Sequence, residues 1–473
     1  MSHALYRYLS AVSIYDPFRR DGCSMGKLAA LLGRPVVAGF AVRGFEIMSK
    51  LALYLLTARM LGAAEAGLFF LCLTWASWFS TFGRMGIDRA LTRHLGAELG
   101  LHQGLKARGT LITGVLRVTA TGAALGLLTA VAARALAIHV FKDPGLATPL
   151  MCGAIAVSGM STTFTLTAAL AGAGRTTSAQ FLQNAFWPAL TVLSLMLGAR
   201  DATTLVTAMG IAIWACGAIA FAIFLADRAR FAEDLPAGEL ASGLPPAPMP
   251  PLMRTAWPLM VVEMVQATIV SLPVLLLGMV ADAADVGAFS VALRISMLVW
   301  MVLVSLGTVA SPRFATLHRR GDMAGLAALN RQIQLLGAGL GGGVCVMMIV
   351  IPETLLGILS PEFVMASLPL MILATGQAVN ALYTGQDVLL AMTGNGGTLR
   401  RLNLAQLVMV LLLSLVFIPL GGAVGAAIAT AVATAQGGIG TAMVVRWLLP
   451  AARPLAAPPM PPRLQPFLTV RAG

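Results

Sequence analysis

Six charged residues stand inside otherwise apolar runs and are the first candidates for chemistry: Arg43, Glu46 and Lys50 in one run, Arg117 in another, Glu263 in a third and Arg294 in a fourth. A charged side chain at the centre of a membrane-length run costs at least about 2.5–3.5 kcal/mol, so each marks a functional position by default. Arg43, Glu46 and Lys50 are spaced i, i+3 and i+7, which puts them within about 60° of one another on a helix. That stripe must face protein or water. Arginine supplies paired donors and lysine a point charge, the equipment for an anionic group in a low-dielectric cavity. A plainer reading stands beside each. Glu46 can simply neutralise Arg43 and Lys50, Glu263 can pair with Arg43 as a lock between helix bundles, Arg294 can be structural, and Arg117 can snorkel to the end of its helix. Asp387, near the end of its run, reads as structure or gating.

The elements that position these residues are membrane spans. Of the 473 residues 58% are hydrophobic and 11% charged, against about 25% charged in a soluble domain, and the mean hydropathy is +0.85. Such a surface must face lipid. Apolar runs at 37–60, 66–86, 110–136, 147–170, 176–198, 203–226, 255–279, 286–309, 333–356, 364–392, 402–421 and 423–448 predict twelve helices, each long enough for a hydrocarbon core of about 30 Å. The expected fold is an all-α polytopic membrane protein of two six-helix bundles around a central cavity.

Loop by loop, 24 Lys and Arg fall on one side of these spans and four on the other, Arg59, Arg134, Lys142 and Arg200. By the positive-inside rule both termini are cytoplasmic and the protein sits in the plasma membrane, the inner membrane of a bacterium. The chain divides into a tail at 1–36, a first bundle at 37–226, a cytoplasmic linker at 227–254 rich in proline, a second bundle at 255–449 and a tail at 450–473. The first tail lacks the apolar core and cleavage site of a secretory signal. Met25-Gly26-Lys27 would make a natural start, which leaves open whether residues 1–24 belong to the native protein.

The two halves repeat in register. Leu61-Gly-Ala-Ala-Glu65-Ala-Gly67-Leu-Phe69 matches Ala281-Asp-Ala-Ala-Asp285-Val-Gly287-Ala-Phe289 at an offset of 220, and the same offset pairs Arg93 with Arg313 and Gly174 with Gly394. With six helices each, the copies enter the membrane in the same direction, and a transport site is expected between them near the midplane.

The run Ala58-Arg-Met-Leu-Gly62 through Glu65-Ala-Gly67 to Phe82-Gly83 and Arg89 carries a resemblance, as do Val286-Gly287-Ala-Phe289-Ser-Val-Ala-Leu-Arg294, Ser311-Pro312 and Ile418-Pro419-Leu-Gly421. The chain resembles the polysaccharide-transporter branch of the multidrug/oligosaccharidyl-lipid/polysaccharide (MOP) exporter superfamily. The resemblance implies an alternating-access flippase for polyprenyl-diphosphate-linked oligosaccharides used in O-antigen, capsule or exopolysaccharide synthesis. It places Arg43, Lys50, Glu263 and Arg294 around the cavity, to meet the diphosphate. The partners it implies are the lipid-linked substrate, membrane lipid, H+ or Na+ as coupling ion and polysaccharide polymerase or assembly proteins. A cation-coupled multidrug exporter of the same superfamily and a peptidoglycan-precursor flippase stay open as alternatives.

Other patterns carry less. Gly337-Ala-Gly339-Leu-Gly-Gly342 imitates a dinucleotide fingerprint but lies inside an apolar run with no strand before it, where small residues pack helices. Asp282 and Asp285 precede a helix start and suit its dipole rather than a metal. The five cysteines are odd in number and lack C-x-x-C spacing. With no P-loop, H-E-x-x-H or G-x-S-x-G, neither an enzyme nor a cofactor is expected, and the net charge of +13 reports cytoplasmic loops rather than nucleic-acid binding.

Overall fold

A computed structural model describes residues 34–231 and 250–449. The start at Met25, both tails and most of the linker fall outside the described residues. Among those described there is no strand.

Apolar sequence with little proline becomes long helices because, in lipid, every backbone group must find its partner within the segment. In chain order they are α1 (Arg34–Arg84), α2 (Ile87–Gly100), α3 (Gly104–Ala135), α4 (Ala147–Gly172), α5 (Thr176–Gln180), α6 (Trp187–Met196) and α7 (Ala202–Ala226). The second half holds α8 (Leu252–Gly278), α9 (Ala283–Arg319), α10 (Met323–Val350), α11 (Pro352–Gly357), α12 (Ser367–Leu382), α13 (Gln386–Met392) and α14 (Gly396–Leu448). A π turn at Phe181–Phe186 joins α5 to α6.

Among the described residues nine helices, not twelve, are long and apolar enough to cross a membrane. The difference has three sources. α1 carries the first two expected spans and bends at Gly62, whose φ of 79° and ψ of 176° break the helix. α14 carries the last two and bends at Gly422 (φ 50°, ψ −124°). The fifth span, 176–196, is helical throughout but divided by its π turn. The tenth expected span also breaks, at Gly385 (φ 80°), between α12 and α13. Only glycine takes these conformations at little cost.

Three elements differ from the sequence reading. α2 lies where a loop was expected; its Ile87, Ala90, Leu91 and Leu95 are buried, with Asp88, His94 and Glu98 among them. α9 runs on to Arg319 and α10 begins at Met323, so each projects about 15 Å beyond its expected end at 1.5 Å per residue.

Packing within the first bundle rests on small residues. A Cβ added at Gly122 would stand 2.7 Å from Ser161 Cβ and one at Gly126 would stand 2.9 Å from the Ala154 carbonyl, so α3 and α4 meet backbone to backbone. Large apolar side chains on the outer faces, such as Leu127, Val131 and Leu420, are left exposed. These faces suit lipid. The principal contact between bundles is α1 against α9, with α8 lying against α1, α2 and α14.

Candidate functional site

Glu46 is the centre of the charged stripe on α1. It is 2% exposed, and its two carboxylate oxygens accept from Arg43 Nη1 at 2.9 Å and Lys50 Nζ at 2.8 Å. The i, i+3, i+7 spacing thus produces the neutralised triad that was the plainer of the two readings. One net positive charge remains, and it points inward through Lys50.

Lys50 and Arg294 line one cavity of about 260 Å³ between the bundles. Its walls come from α1, α4, the π turn, α6, α8 and α9, and neither Asp nor Glu is among the lining residues. The guanidinium of Arg294 lies 4.8 Å from the ring centres of both Tyr54 and Phe70, and its Nη2 donates to Thr74 Oγ1 at 3.4 Å. Two aromatic faces offset part of the cost of a buried cation. Arg294 Nε and the Ser290 hydroxyl are buried without a hydrogen-bond partner among the described residues, a condition that a ligand or water in the cavity would relieve.

The other expected site residues lie elsewhere. Arg43 and Glu46 stand behind Lys50 and do not line the cavity. Glu263 pairs not with Arg43 but with Arg89 of α2, because that helix, read from sequence as a loop, lies against α8. The expected lock between bundles exists with a different cation. Arg117 is on the exposed face of α3, away from the cavity. Asp387 is in the first turn of α13. Asp282 caps α9 without a side-chain bond, whereas Glu65 accepts from the Ala202 N–H and so caps α7 rather than the helix it precedes in sequence.

Sequence reasoning missed Gln183 and Asn184, which the π turn brings into the cavity beside Trp187. A signal existed. Pro188 has no N–H, so the Asn184 carbonyl loses its helical partner, and the Trp187 indole donates to the Gln183 carbonyl at 3.0 Å. Polar residues just before a proline in a span mark a backbone irregularity, and π turns often sit at functional sites.

Contacts between the bundles lie on both sides of the cavity. At 1.5 Å per residue, Gly67 is about 10–15 Å from Thr74 and Ser77 in one direction and Gly86, just past the end of α1, about 14–18 Å in the other. At Gly67 an added Cβ would be 1.8 Å from the Ala283 carbonyl and 3.0 Å from Gly287 N. At Gly86 it would be 2.5 Å from the Ala256 carbonyl and from Met260 N. Arg89 with Glu263 and His94 Nε2 with Thr255 Oγ1 at 3.1 Å reinforce the second set, and the Trp78 indole bonds Thr268 Oγ1 at 3.0 Å one residue from Ser77.

Among solved structures, the chain is similar to an inward-facing multidrug resistance MATE transporter of the MOP superfamily (TM-score 0.67, 12% identity, 89% of this chain and 99% of the other). It is also similar to the lipid II flippase MurJ in an inward closed conformation (TM-score 0.62, 13% identity, 87% of each chain). A third likeness is to a MOP superfamily transporter from Pyrococcus furiosus described by the reverse polarity of its binding pocket and a different function suggested by it (TM-score 0.59, 15% identity, 88% and 94%). At these identities the likeness concerns the fold. No curated protein matches the chain.

Two helical bundles meeting around a cavity, in a chain of membrane-length helices, make this an integral membrane protein with the fold of the transporters to which it is similar. Residues 40–318 match the family model of polysaccharide biosynthesis proteins, and the chain belongs to that family.

Proposed function

We propose that this protein is a flippase that carries polyprenyl-diphosphate-linked oligosaccharides across the inner membrane for surface polysaccharide synthesis. The observation that carries the reading is the polarity of the cavity: its two charges, Lys50 and Arg294, are both positive, and no carboxylate lines it. A diphosphate satisfies both cations. A cationic drug would meet no carboxylate on the cavity lining, since Glu46 lies behind Lys50 and is shared between it and Arg43, which disfavours the multidrug alternative.

In this reading Arg294 is the fork that meets the diphosphate, held flat by Tyr54 and Phe70. Lys50 is the second contact, and Arg43 and Glu46 fix its position. The prenyl chain stays in lipid. Alternating access opens one set of bundle contacts while the other stays closed, and loading draws on an H+ or Na+ gradient. The termini face the cytoplasm, in keeping with the arginine and lysine bias of the loops.

A deletion strain tests this. Its polyprenyl-linked oligosaccharides should accumulate on the cytoplasmic leaflet and be cleared by the wild-type gene but not by Arg294→Ala expressed at the same level. Absence of accumulation, with increased sensitivity to cationic drugs, would move the protein to the multidrug reading.

A further inference from the structure

The cavity has two chemically different walls. One carries charge: Lys50 from α1 and Arg294 from α9. The other is the π turn and the start of α6, which present two neutral amides, Gln183 and Asn184, and the indole of Trp187. Neither amide side chain is hydrogen-bonded to any described residue. Some other amides of the spans have side-chain or backbone partners: Gln386 donates to Asn330 Oδ1 at 2.7 Å and Gln406 to the Ala433 carbonyl at 3.0 Å.

An amide carries two donors and two acceptor lone pairs, and both side chains are partly buried in the cavity wall. Two adjacent unpartnered amides therefore suit a ligand rich in both donors and acceptors. Hydroxyl groups of a sugar ring meet that description; a phosphate, which only accepts at its ionised oxygens, does not. The indole beside them offers an apolar surface for the C–H face of the ring. The volume of about 260 Å³ falls below the roughly 300–1,000 Å³ of sites that enclose drug-sized molecules, so the cavity admits about a sugar ring rather than a whole oligosaccharide. Pro188 and the indole bond to the Gln183 carbonyl hold the backbone of the turn that carries the two amides.

We propose that Gln183 and Asn184 determine sugar specificity, reading the hydroxyl pattern of the substrate independently of the cations that hold its anionic part. This rests on the glycolipid reading above. The test is binding to the purified full-length protein in nanodiscs, with a short-chain prenyl diphosphate as one probe. The others are the same diphosphate carrying glucose, galactose or N-acetylglucosamine. The wild type should bind all of them and rank the three sugars, with the best at least about tenfold tighter than the sugar-free probe. Gln183→Leu and Asn184→Leu should each lose about tenfold for the preferred sugar and compress the ranking, with the sugar-free Kd unchanged, which also shows that the variants are folded. Lys50→Ala should weaken every probe alike and keep the ranking.

If the leucine variants keep the wild-type ranking, or if the wild type binds the diphosphates without ranking the sugars, the amide proposal is wrong while the glycolipid reading stands. If the wild type binds none of the diphosphates, the glycolipid reading fails, and the specificity proposal falls with it.

Discussion

Arg294 and Thr74 occupy equivalent places in the two halves of the chain, 220 residues apart, and they touch: Arg294 Nη2 is 3.4 Å from Thr74 Oγ1. Gly67 and Gly287, separated by the same 220, also face each other, an added Cβ on the first coming within 3.0 Å of the backbone nitrogen of the second. Residues on a two-fold axis meet their own equivalents, which is the arrangement that the repeat expected from sequence would produce.

The arginine should tolerate replacement poorly. Arg294→Ala removes charge-assisted hydrogen bonds worth about 1.5–3 kcal/mol each, and uptake of a prenyl-diphosphate glycolipid into proteoliposomes should fall by at least about tenfold. Arg294→Lys keeps the charge but loses the flat group between Tyr54 and Phe70 and should fall between alanine and wild type. Thr74→Val, which loses one long bond, should change uptake less than about fivefold.

The glycine pair is a packing requirement. Gly67→Ala forces a methyl group onto the Ala283 carbonyl, and overpacking of this kind costs about 1–3 kcal/mol. A melting experiment in detergent should show a clear drop in midpoint. Gly339→Ala is the matched control, because nothing lies within 4 Å of its Cβ position and alanine favours a helix by roughly 1 kcal/mol over glycine.

Breaking the ion pair between Arg89 and Glu263 should open the α2 side. Arg89 is 58% exposed, so the pair is worth at most about 1 kcal/mol, or close to fivefold in population. In a cysteine-free background, Met260→Cys lies against Gly86. Its labelling by a membrane-impermeant maleimide should quicken by about that factor when Arg89→Gln is added. The exchanged pair Arg89→Glu with Glu263→Arg should restore slow labelling.

Stability should depend on pH through His94, which lies outside the spans. Burial first, then Arg93 and Lys106, hold its pKa below the ordinary 6.5. The unfolded chain therefore binds the proton more readily, and the contribution of neutral His94 is lost as pH falls through about 6.5. Glu98, 4.0 Å from His94 Nδ1 and bonded to Thr110, is shifted upward by burial, and its protonation opposes that loss at lower pH. The difference isolates the histidine: between pH 7.5 and 5.5 the melting point of the wild type should fall more than that of His94→Gln. Equal falls would remove His94 as the source.

Sequence alone determined the membrane character, most of the helical segments, the offset of 220 between similar stretches and the clustering of Arg43, Glu46 and Lys50, because hydropathy and helical spacing are local properties. Lys50 and Arg294 were readable as candidates for the same reason: a cation in an apolar run stands out wherever it points. Which charges face the cavity was decided by the tertiary structure. α2 lies against α8 and claims Glu263 for Arg89, Arg117 is left outside on α3, and Glu46 is turned to neutralise its own helix. Gln183 and Asn184 escaped notice because an amide costs less in a span than a charge, and the proline after them marks a backbone irregularity without saying which side chains it turns inward. Their exposure to the cavity depends on helical register, which packing between helices sets and a single segment does not encode.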